Sequence, residues 1–464
     1  MTEPLDVVVL GGGPAGYAGA LRCADLGLTV AIVEDRDVGG TCLHRGCVPT
    51  RATLQAASIA DAAGRPAERW GVLAKFDGVD LPRLAATRDD IVGRNHRAVV
   101  SHLERAGVEV IAGSGYIERP RTVRVGNDHI ESQRGVVVAT GSSPLVLPGL
   151  EPDGVAILDS DQTLGIERVP RSVAIVGGGA IGAEFSQIWS SFGAEVTLIE
   201  KEQRLVPMED ADVGRALERA LRRHGIRTFV DSTVTDMNVR TGVVELTLTT
   251  PAGPTPLQVE MVIVAAGRVP RTEGSGLAEA GVALEEGFVV PADWNSLETN
   301  VAGVYAAGDV LPLPSQARAH VAYAEGRLVA EALAEKGGPG LDYRGIPRVT
   351  HGLVETACVG LSEEEARAAG ADVEVMAAQI GAVAKGLMLG EAGMAKVVTE
   401  REGPVLGIHL VGPQVVELIG EATAIVDFEA TPDDVASLIH PHPSLSEMLA
   451  EVHLALAGRP LHLR

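Results

Sequence analysis

The chain has 464 residues, enough for two to four domains, and its 46% hydrophobic, 3% aromatic make-up with 55 glycines suggests small-residue α/β packing over an aromatic-cored β fold. A formal charge of −23 argues against nucleic acid and anionic membrane surfaces as partners. Four cysteines are too few for a secreted disulfide framework, no apolar run reaches spanning length, and residues 1–4 lead straight into a strand-like run with no basic leader, so a soluble cytoplasmic protein is expected.

Leu5 to Leu10 is a short β-branched run suited to a buried parallel strand. Gly11-Gly12-Gly13-Pro14-Ala15-Gly16 follows, then a helix-like Tyr17 to Leu26 and a second strand, Thr29 to Val33, ending in Glu34. Strand, Gly-x-Gly-x-x-Gly, helix, strand, acid is the dinucleotide-binding order. Gly11 makes the tight turn, Gly13 lets backbone approach a pyrophosphate, Gly16 permits close helix–strand packing, and Glu34 would accept from a ribose hydroxyl.

Next comes Gly39-Gly40-Thr41-Cys42-Leu43-His44-Arg45-Gly46-Cys47-Val48-Pro49-Thr50, which holds half of the cysteines five positions apart. Two thiols this close suit a disulfide that forms and breaks, a two-electron couple able to exchange with another dithiol. Half of a zinc site and two unrelated core residues are the competing readings, and zinc would want a fuller set of Cys or His at short spacing than this stretch holds. Ala52 to Arg105 reads as mostly helical with a polar break around Gly64 to Asp80. Short strands follow at Val108 to Ile111, Gly115 to Ile117 and Thr122 to Val125, and Val136 to Ala139 runs into the turn Thr140-Gly141.

The nucleotide unit then recurs. Ser172 to Val176 leads into Gly177-Gly178-Gly179-Ala180-Ile181-Gly182, a helical stretch, and a strand Glu195 to Ile199 ending in Glu200. First glycine and acid are 23 residues apart in both copies. Val262 to Gly267 echoes the earlier strand-turn, so the repeat extends beyond the glycines. Two nucleotide cofactors on one chain are expected, and Glu200, which would repel a 2′-phosphate, favours NAD over NADP.

Val304 to Ala307 ends at Gly308-Asp309, before a helix-like run from about Ala319 to Leu333 and a glycine-rich linker at Lys336 to Gly340. Strands at Pro347 to Gly360, Val373 to Gln379, Ala395 to Val398 and Val405 to Val411 alternate with helical Ser362 to Ala369, Val415 to Phe428 and Asp433 to Ile439, which suggests an antiparallel α+β domain. The chain closes on His440-Pro441-His442-Pro443-Ser444-Leu445-Ser446-Glu447, where two prolines fix a loop presenting imidazoles and Glu447 opens the last helix. A histidine serving as acid–base wants such a carboxylate. With no third ligand evident, no metal site is expected.

In this order the motifs resemble the flavin-dependent pyridine nucleotide–disulfide oxidoreductases, over essentially the whole length, and most strongly their dihydrolipoamide-oxidising branch. The resemblance implies FAD on Gly11, Gly13, Gly16, Glu34, Thr140, Gly141, Gly308 and Asp309, and NAD on Gly177, Gly179, Gly182, Glu200 and Gly267. It implies two Rossmann-like domains (1–149 for FAD, 150–271 for NAD), a central part (272–340) completing the FAD site, and a C-terminal dimerisation domain (341–464). Cys42 would exchange with the dithiol substrate, lipoamide or a carrier-borne form of it, and Cys47 would face the flavin. His442, oriented by Glu447 and preceding a cis proline, would act on the cysteine pair of the other subunit of a homodimer. A reductase of another small disulfide, driven by NAD(P)H, and a diaphorase or quinone reductase that bypasses the cysteines are the alternatives.

Two departures stand out. Relatives carry lysine where this chain has Arg51, paired with a glutamate matching Glu184, and a guanidinium is bulkier and gives up no proton at ordinary pH. Thr350 to Cys358 also differs from the usual pattern. Cys358 and Cys23 read as core residues, and His44 and Arg45 as either tuners of the thiols or loop residues.

Overall fold

The computed structural model describes residues 5–315 and 317–463; residues 1–4, on which the expectation of no leader rested, lie outside the described residues. The chain divides into two compact units, one built from the chain up to Ala52 with Ala85–Leu145 and Arg268–Tyr343, the other from Thr53–Leu84, Val146–Gly267 and Arg344–Arg464.

The first unit is built on a sheet whose central strands run parallel. Leu5–Leu10 pairs with Val30–Glu34 on one side and Asp128–Val138 on the other, with Glu109–Ala112 and Val304–Ala306 next outward. Val7, Val8, Val9 and Leu10 are all buried, as expected of a strand covered on both faces. An antiparallel ribbon, Gly115–Arg119 and Thr122–Val125, continues onto the long Asp128–Val138 strand. The helix Pro14–Asp25 starts with proline in its first turn, where a missing N–H costs nothing. It lies against the helix Ala319–Leu333 at unusually short range: a methyl group on Gly326 would sit 2.1 Å from the Ala15 carbonyl oxygen.

The second unit repeats the parallel motif and adds two antiparallel sheets. Arg227–Phe229, Glu195–Ile199, Ser172–Val176, Met261–Val264 and Ile157–Asp159 form the parallel sheet in that order. Thr233–Arg240, Val243–Thr250 and Gly253–Val259 make a three-stranded meander that the sequence reading did not identify. Arg348–Thr350, Glu355–Gly360, Val405–Gly412, Met394–Glu400 and Val373–Gln379 form the expected C-terminal antiparallel sheet. Its helices include Glu363–Ala368 and Pro432–Ala436, each opened by a reciprocal capping box, Ser362 with Glu365 and Thr431 with Asp434.

A buried cation ties these layers together. Lys396, on the antiparallel sheet, is 3.0 Å from Asp210, 2.8 Å from Asp212 and 2.9 Å from Glu363, and Arg348 is 2.9 Å from Glu209. Burial lowers the Lys396 ammonium, but the three carboxylates outweigh it and push it up to about 12. Removing one side of such a buried pair costs about 3–5 kcal/mol because the partner is left charged and dry.

Candidate active site

The first glycine turn is dictated by contact. Gly11 has φ +97, and a methyl group there would lie 2.3 Å from the Ala139 carbonyl oxygen; one on Gly16 would lie 1.8 Å from the Gly11 carbonyl oxygen. Side chains are excluded at both, so strand, turn and helix close up and leave the helix N-terminus bare. Glu34 reaches back to this turn, with Oε2 accepting from Gly12 N at 2.6 Å and Oε1 from Arg36 N at 2.9 Å. Burial pushes its carboxyl up despite those two N–H groups.

Around the same turn, Thr140 Oγ1 donates to the Arg271 carbonyl at 2.6 Å, and Gly141, with φ +75, accepts from Arg271 N at 2.8 Å. Asp309 Oδ2 accepts from Ser142 Oγ at 2.6 Å, and Arg268 Nε donates to that hydroxyl at 2.8 Å. Gly308 N donates to Glu325 Oε2 at 2.7 Å, while Tyr343 donates to the other oxygen at 3.0 Å. Glu325 has no exposed surface, and burial raises its carboxyl to about 7. Nothing in the sequence pattern singled it out, because a glutamate in an amphipathic helix reads as surface.

The redox stretch is helical at both ends. Gly40–His44 is a short helix carrying Cys42, and Cys47 opens the helix Cys47–Ala62, with Pro49 in the first turn where no N–H is needed. Gly39 N donates to the Gly12 carbonyl at 2.8 Å, and a methyl group on Gly40 would meet Gly13 Cα at 2.6 Å, so the cysteine segment sits directly on the first glycine turn. Both sulfurs are thiols, partly exposed. A hydrogen bond with Cys47, then burial, raises the Cys42 thiol far above its ordinary value, and the Arg51 guanidinium pulls against them. His44 is held by the Val38 carbonyl at 2.9 Å, edge-on to His96, which contacts the same carbonyl at 3.1 Å. Tyr17 donates to Tyr323 at 2.9 Å, and burial, then the other phenol, then the two cysteine sulfurs raise the Tyr323 hydroxyl. Neither tyrosine belongs to a motif that sequence could flag.

The second unit holds the second cradle. Gly177 has φ +112 and would meet Ala265 O at 2.3 Å, and Gly182 would meet Gly177 O at 1.8 Å. Gly179 has open space around it and Gly267 has φ +123. Glu200 accepts from Gly178 N at 2.5 Å and from Glu202 N at 2.8 Å. Glu184 is buried in the helix Ala180–Ser191 and accepts from His351 N at 3.1 Å, so the atypical 350–358 segment is anchored to that helix. Cys358 is fully buried, and burial, followed by Glu209, raises its thiol; Cys23, in the first unit, is equally enclosed and pushed up to about 12.

At the C-terminus, His442 Nδ1 lies 2.7 Å from Glu447 Oε1, and Ser444 N donates to Glu447 Oε2 at 2.8 Å. The His442–Pro443 bond is cis. The imidazole is 70% exposed, with Nε2 free to face outward. Burial raises the Glu447 carboxyl, and the Ser444 N–H and His442 more than reverse it, so it stays below the usual carboxylate range. Among the described residues no group of three or more Cys, His, Asp or Glu could hold a metal, and no helix is long and apolar enough to cross a membrane.

Comparison with known proteins adds a family. Residues 5–326 match the pyridine nucleotide-disulphide oxidoreductase model and 346–453 match the dimerisation domain of the same group. Dihydrolipoyl dehydrogenase of Bacillus subtilis is 35% identical, covering all of both chains, and that of Thermus scotoductus is 38% identical over 99% of this chain and 98% of its own. Among solved structures, LpdA from Mycobacterium tuberculosis superposes with a TM-score of 0.87 at 27% identity, covering 97% of this chain and 99% of that one. The HOCl-induced flavoprotein disulfide reductase RclA from Escherichia coli gives 0.83 at 25% identity, covering 97% and 99%.

Proposed function

The chain belongs to the pyridine nucleotide-disulphide oxidoreductase family, and on that footing we propose that it is a dihydrolipoyl dehydrogenase, oxidising a dihydrolipoamide-type dithiol and reducing NAD+ as a cytoplasmic homodimer. The observation that carries this reading is the pairing of two hydrogen-bonded thiols, Cys42 and Cys47, on the first glycine turn of a chain that also presents a carboxylate-bound imidazole, His442.

FAD fits the first cradle, where side chains are excluded at Gly11 and Gly16 and Glu34 and Asp309 supply acceptors; NAD fits the second, at Gly177, Gly179, Gly182 and Glu200. When bound, the two cofactors supply an acceptor for the electron pair of the reduced cysteines and its final exit as hydride. The protein's own residues do the sulfur chemistry. His442 of one subunit takes the proton of a substrate thiol, its charge balanced by Glu447. The thiolate attacks Cys42 of the disulfide form, the Cys42–Cys47 bond breaks, and Cys47 leaves as thiolate. The second substrate thiol then attacks the mixed disulfide, its proton passing to the departing Cys42 sulfur, and the oxidised, cyclic product is released with Cys42 as thiol, Cys47 as thiolate and His442 protonated. Two electrons and two protons have left the substrate, and the cysteine pair is reduced.

The Arg51 guanidinium lowers the cost of negative charge on Cys42, which supports a role beside the cysteines, and it releases no proton. At Glu200 a ribose hydroxyl would be accepted and a 2′-phosphate repelled.

Anaerobic titration of the purified holoprotein with dihydrolipoamide tests the reading, with flavin reduction and stoichiometric NAD+ reduction expected. Reduction only by NADPH, coupled to another disulfide, would overturn it. In Cys42→Ser, dithiol oxidation should drop roughly 10³-fold or more while NADH-driven reduction of artificial dyes persists. Persistence of dithiol turnover would point to a flavoprotein that bypasses the cysteines.

A further inference from the structure

The helix Glu447–Leu456 carries a second acid, Glu451, four residues beyond Glu447. Residues four apart share a helix face, so two carboxylates there repel unless each has a partner. Glu447 has His442 and Ser444 N. Glu451, only 4% exposed, is met by the end of the chain: the backbone N–H of His462 donates to Oε2 at 2.9 Å, and His462 Nδ1 lies 2.7 Å from Oε1. The tail therefore turns back along the helix and sets a second histidine–carboxylate pair one turn from the first.

We propose that His462, clasped by Glu451, is a positioning residue for the His442–Glu447 pair: it balances the Glu451 charge beside Glu447 and thereby sets the pH range in which His442 accepts the substrate proton. This rests on the role given to His442 above.

Among the described residues, the titratable groups near the pair have contacts of their own. Burial raises Glu447, and the Ser444 N–H, His442 and then His462 lower it, so the tail imidazole is felt at the catalytic carboxylate. Two residues before His442, His440 Nε2 lies 2.7 Å from Glu421 Oε1. His453, on the same helix, bonds the Leu449 carbonyl at 2.7 Å and is driven by burial to about 4, so it stays neutral in the working range. Arg459 is paired with Asp433 at 2.6 Å. Taking away the His462 ring leaves the Glu451 charge uncompensated one turn from Glu447. Added negative charge favours protonated His442, and only the neutral form accepts a proton. The acid limb of kcat/KM for the dithiol must then move to higher pH, by about half a unit for one added charge about a helical turn away in a largely solvated setting.

The experiment compares pH profiles of kcat/KM for dihydrolipoamide in the full-length FAD holoenzyme, with FAD content and thermal unfolding read alongside. His462→Gln should shift the acid limb upward by about half a unit, roughly a threefold loss on the acid side. The double variant His462→Gln/Glu451→Gln, which also removes the unmasked charge, should return the limb to its wild-type position, whereas loss of a merely structural clasp would leave the double variant as impaired as the single one. If the double variant does not fold, His462→Arg, which keeps charge and donor at a 59% exposed site, must leave the limb in place. A limb that stays put in His462→Gln, or is not restored when the charge is removed or retained, overturns the proposal. His442→Gln separates the two levels: retained dithiol turnover with the same acid limb would remove the role of His442 itself, and the proposal with it.

Discussion

A methyl group on Gly11 would meet the Ala139 carbonyl at 2.3 Å, and one on Gly177 would meet that of Ala265 at the same distance; Gly16 and Gly182 match likewise, each 1.8 Å from the carbonyl of its own first glycine. In both cradles the closing acid, Glu34 or Glu200, bonds the second glycine's N–H. What differs is the support behind them. The first helix rests backbone to backbone on Ala319–Leu333 through Gly19 and Gly326, with the cysteine segment seated on its turn. The second helix instead uses side chains: Glu184 holds His351 N, and Gln187, 1% exposed, accepts from Val354 N at 2.9 Å and donates to Ala183 O at 3.2 Å. The first cradle is thus braced by backbone against backbone and the second by buried side-chain hydrogen bonds, a difference that suits the proposed division between a retained FAD and an exchanging NAD.

The largest effects come from filling the cradles. Gly16→Ala and Gly182→Ala both force a methyl group into a backbone carbonyl that cannot step aside. Gly16→Ala should yield protein without flavin and without any activity. Gly182→Ala should keep its flavin and its reduction by dihydrolipoamide while KM for NAD+ rises roughly tenfold or more, the loss of about 1.4 kcal/mol or more of binding. Flavin absorbance and steady-state kinetics decide the matter; loss of flavin from Gly182→Ala would end the division of labour between the copies.

Next in size are the supports. Gly326→Ala places a methyl group 2.1 Å from the Ala15 oxygen, an overpacking of helix backbone that should cost about 1–3 kcal/mol and loosen FAD. Gln187→Leu leaves the Val354 N–H buried without its acceptor, about 1–3 kcal/mol, with FAD affinity unaffected. Thermal unfolding and FAD dissociation read together distinguish them. Equal loosening of FAD by both would mean that the two supports are not specialised.

How much of this was legible beforehand follows the same line. Strand–glycine–helix–acid order is readable because each residue type has one physical job, and the 23-residue repeat made the second cradle visible from the first. The cysteine pair and the His442–Glu447 pair were readable because they are local, five residues apart in each case. Glu325, Lys396 and the Tyr17–Tyr323 contact were not, since each meets partners far away in sequence and looks alone like an ordinary surface or core residue. The Thr233–Arg240 to Gly253–Val259 meander escaped because its outer strands mix polar and apolar residues without strict alternation. His462 escaped because a histidine near a chain end carries no pattern.

The finest difference between the copies lies just after the acid. In the first, Asp35 is bound by Arg271 at 3.0 Å; in the second, Lys201 makes an exposed contact with its neighbour Glu202 at 3.7 Å. Burial raises the Asp35 carboxyl, but the Arg271 hydrogen bond and charge outweigh it, leaving it below the usual carboxylate value. A depressed carboxylate contributes stability above its unfolded pKa of about 3.9 and loses it as pH falls through the folded value. Arg271→Gln should therefore destabilise the protein at neutral pH and match wild type once Asp35 is protonated in acid. Because the guanidinium is 37% exposed, screening holds the neutral-pH cost to about 1 kcal/mol or less, visible as a Tm difference that shrinks as pH is lowered. Lys201→Gln should show no such pH-dependent gap, and a gap of equal size there would mean that the two cradles differ less at this edge than their contacts imply.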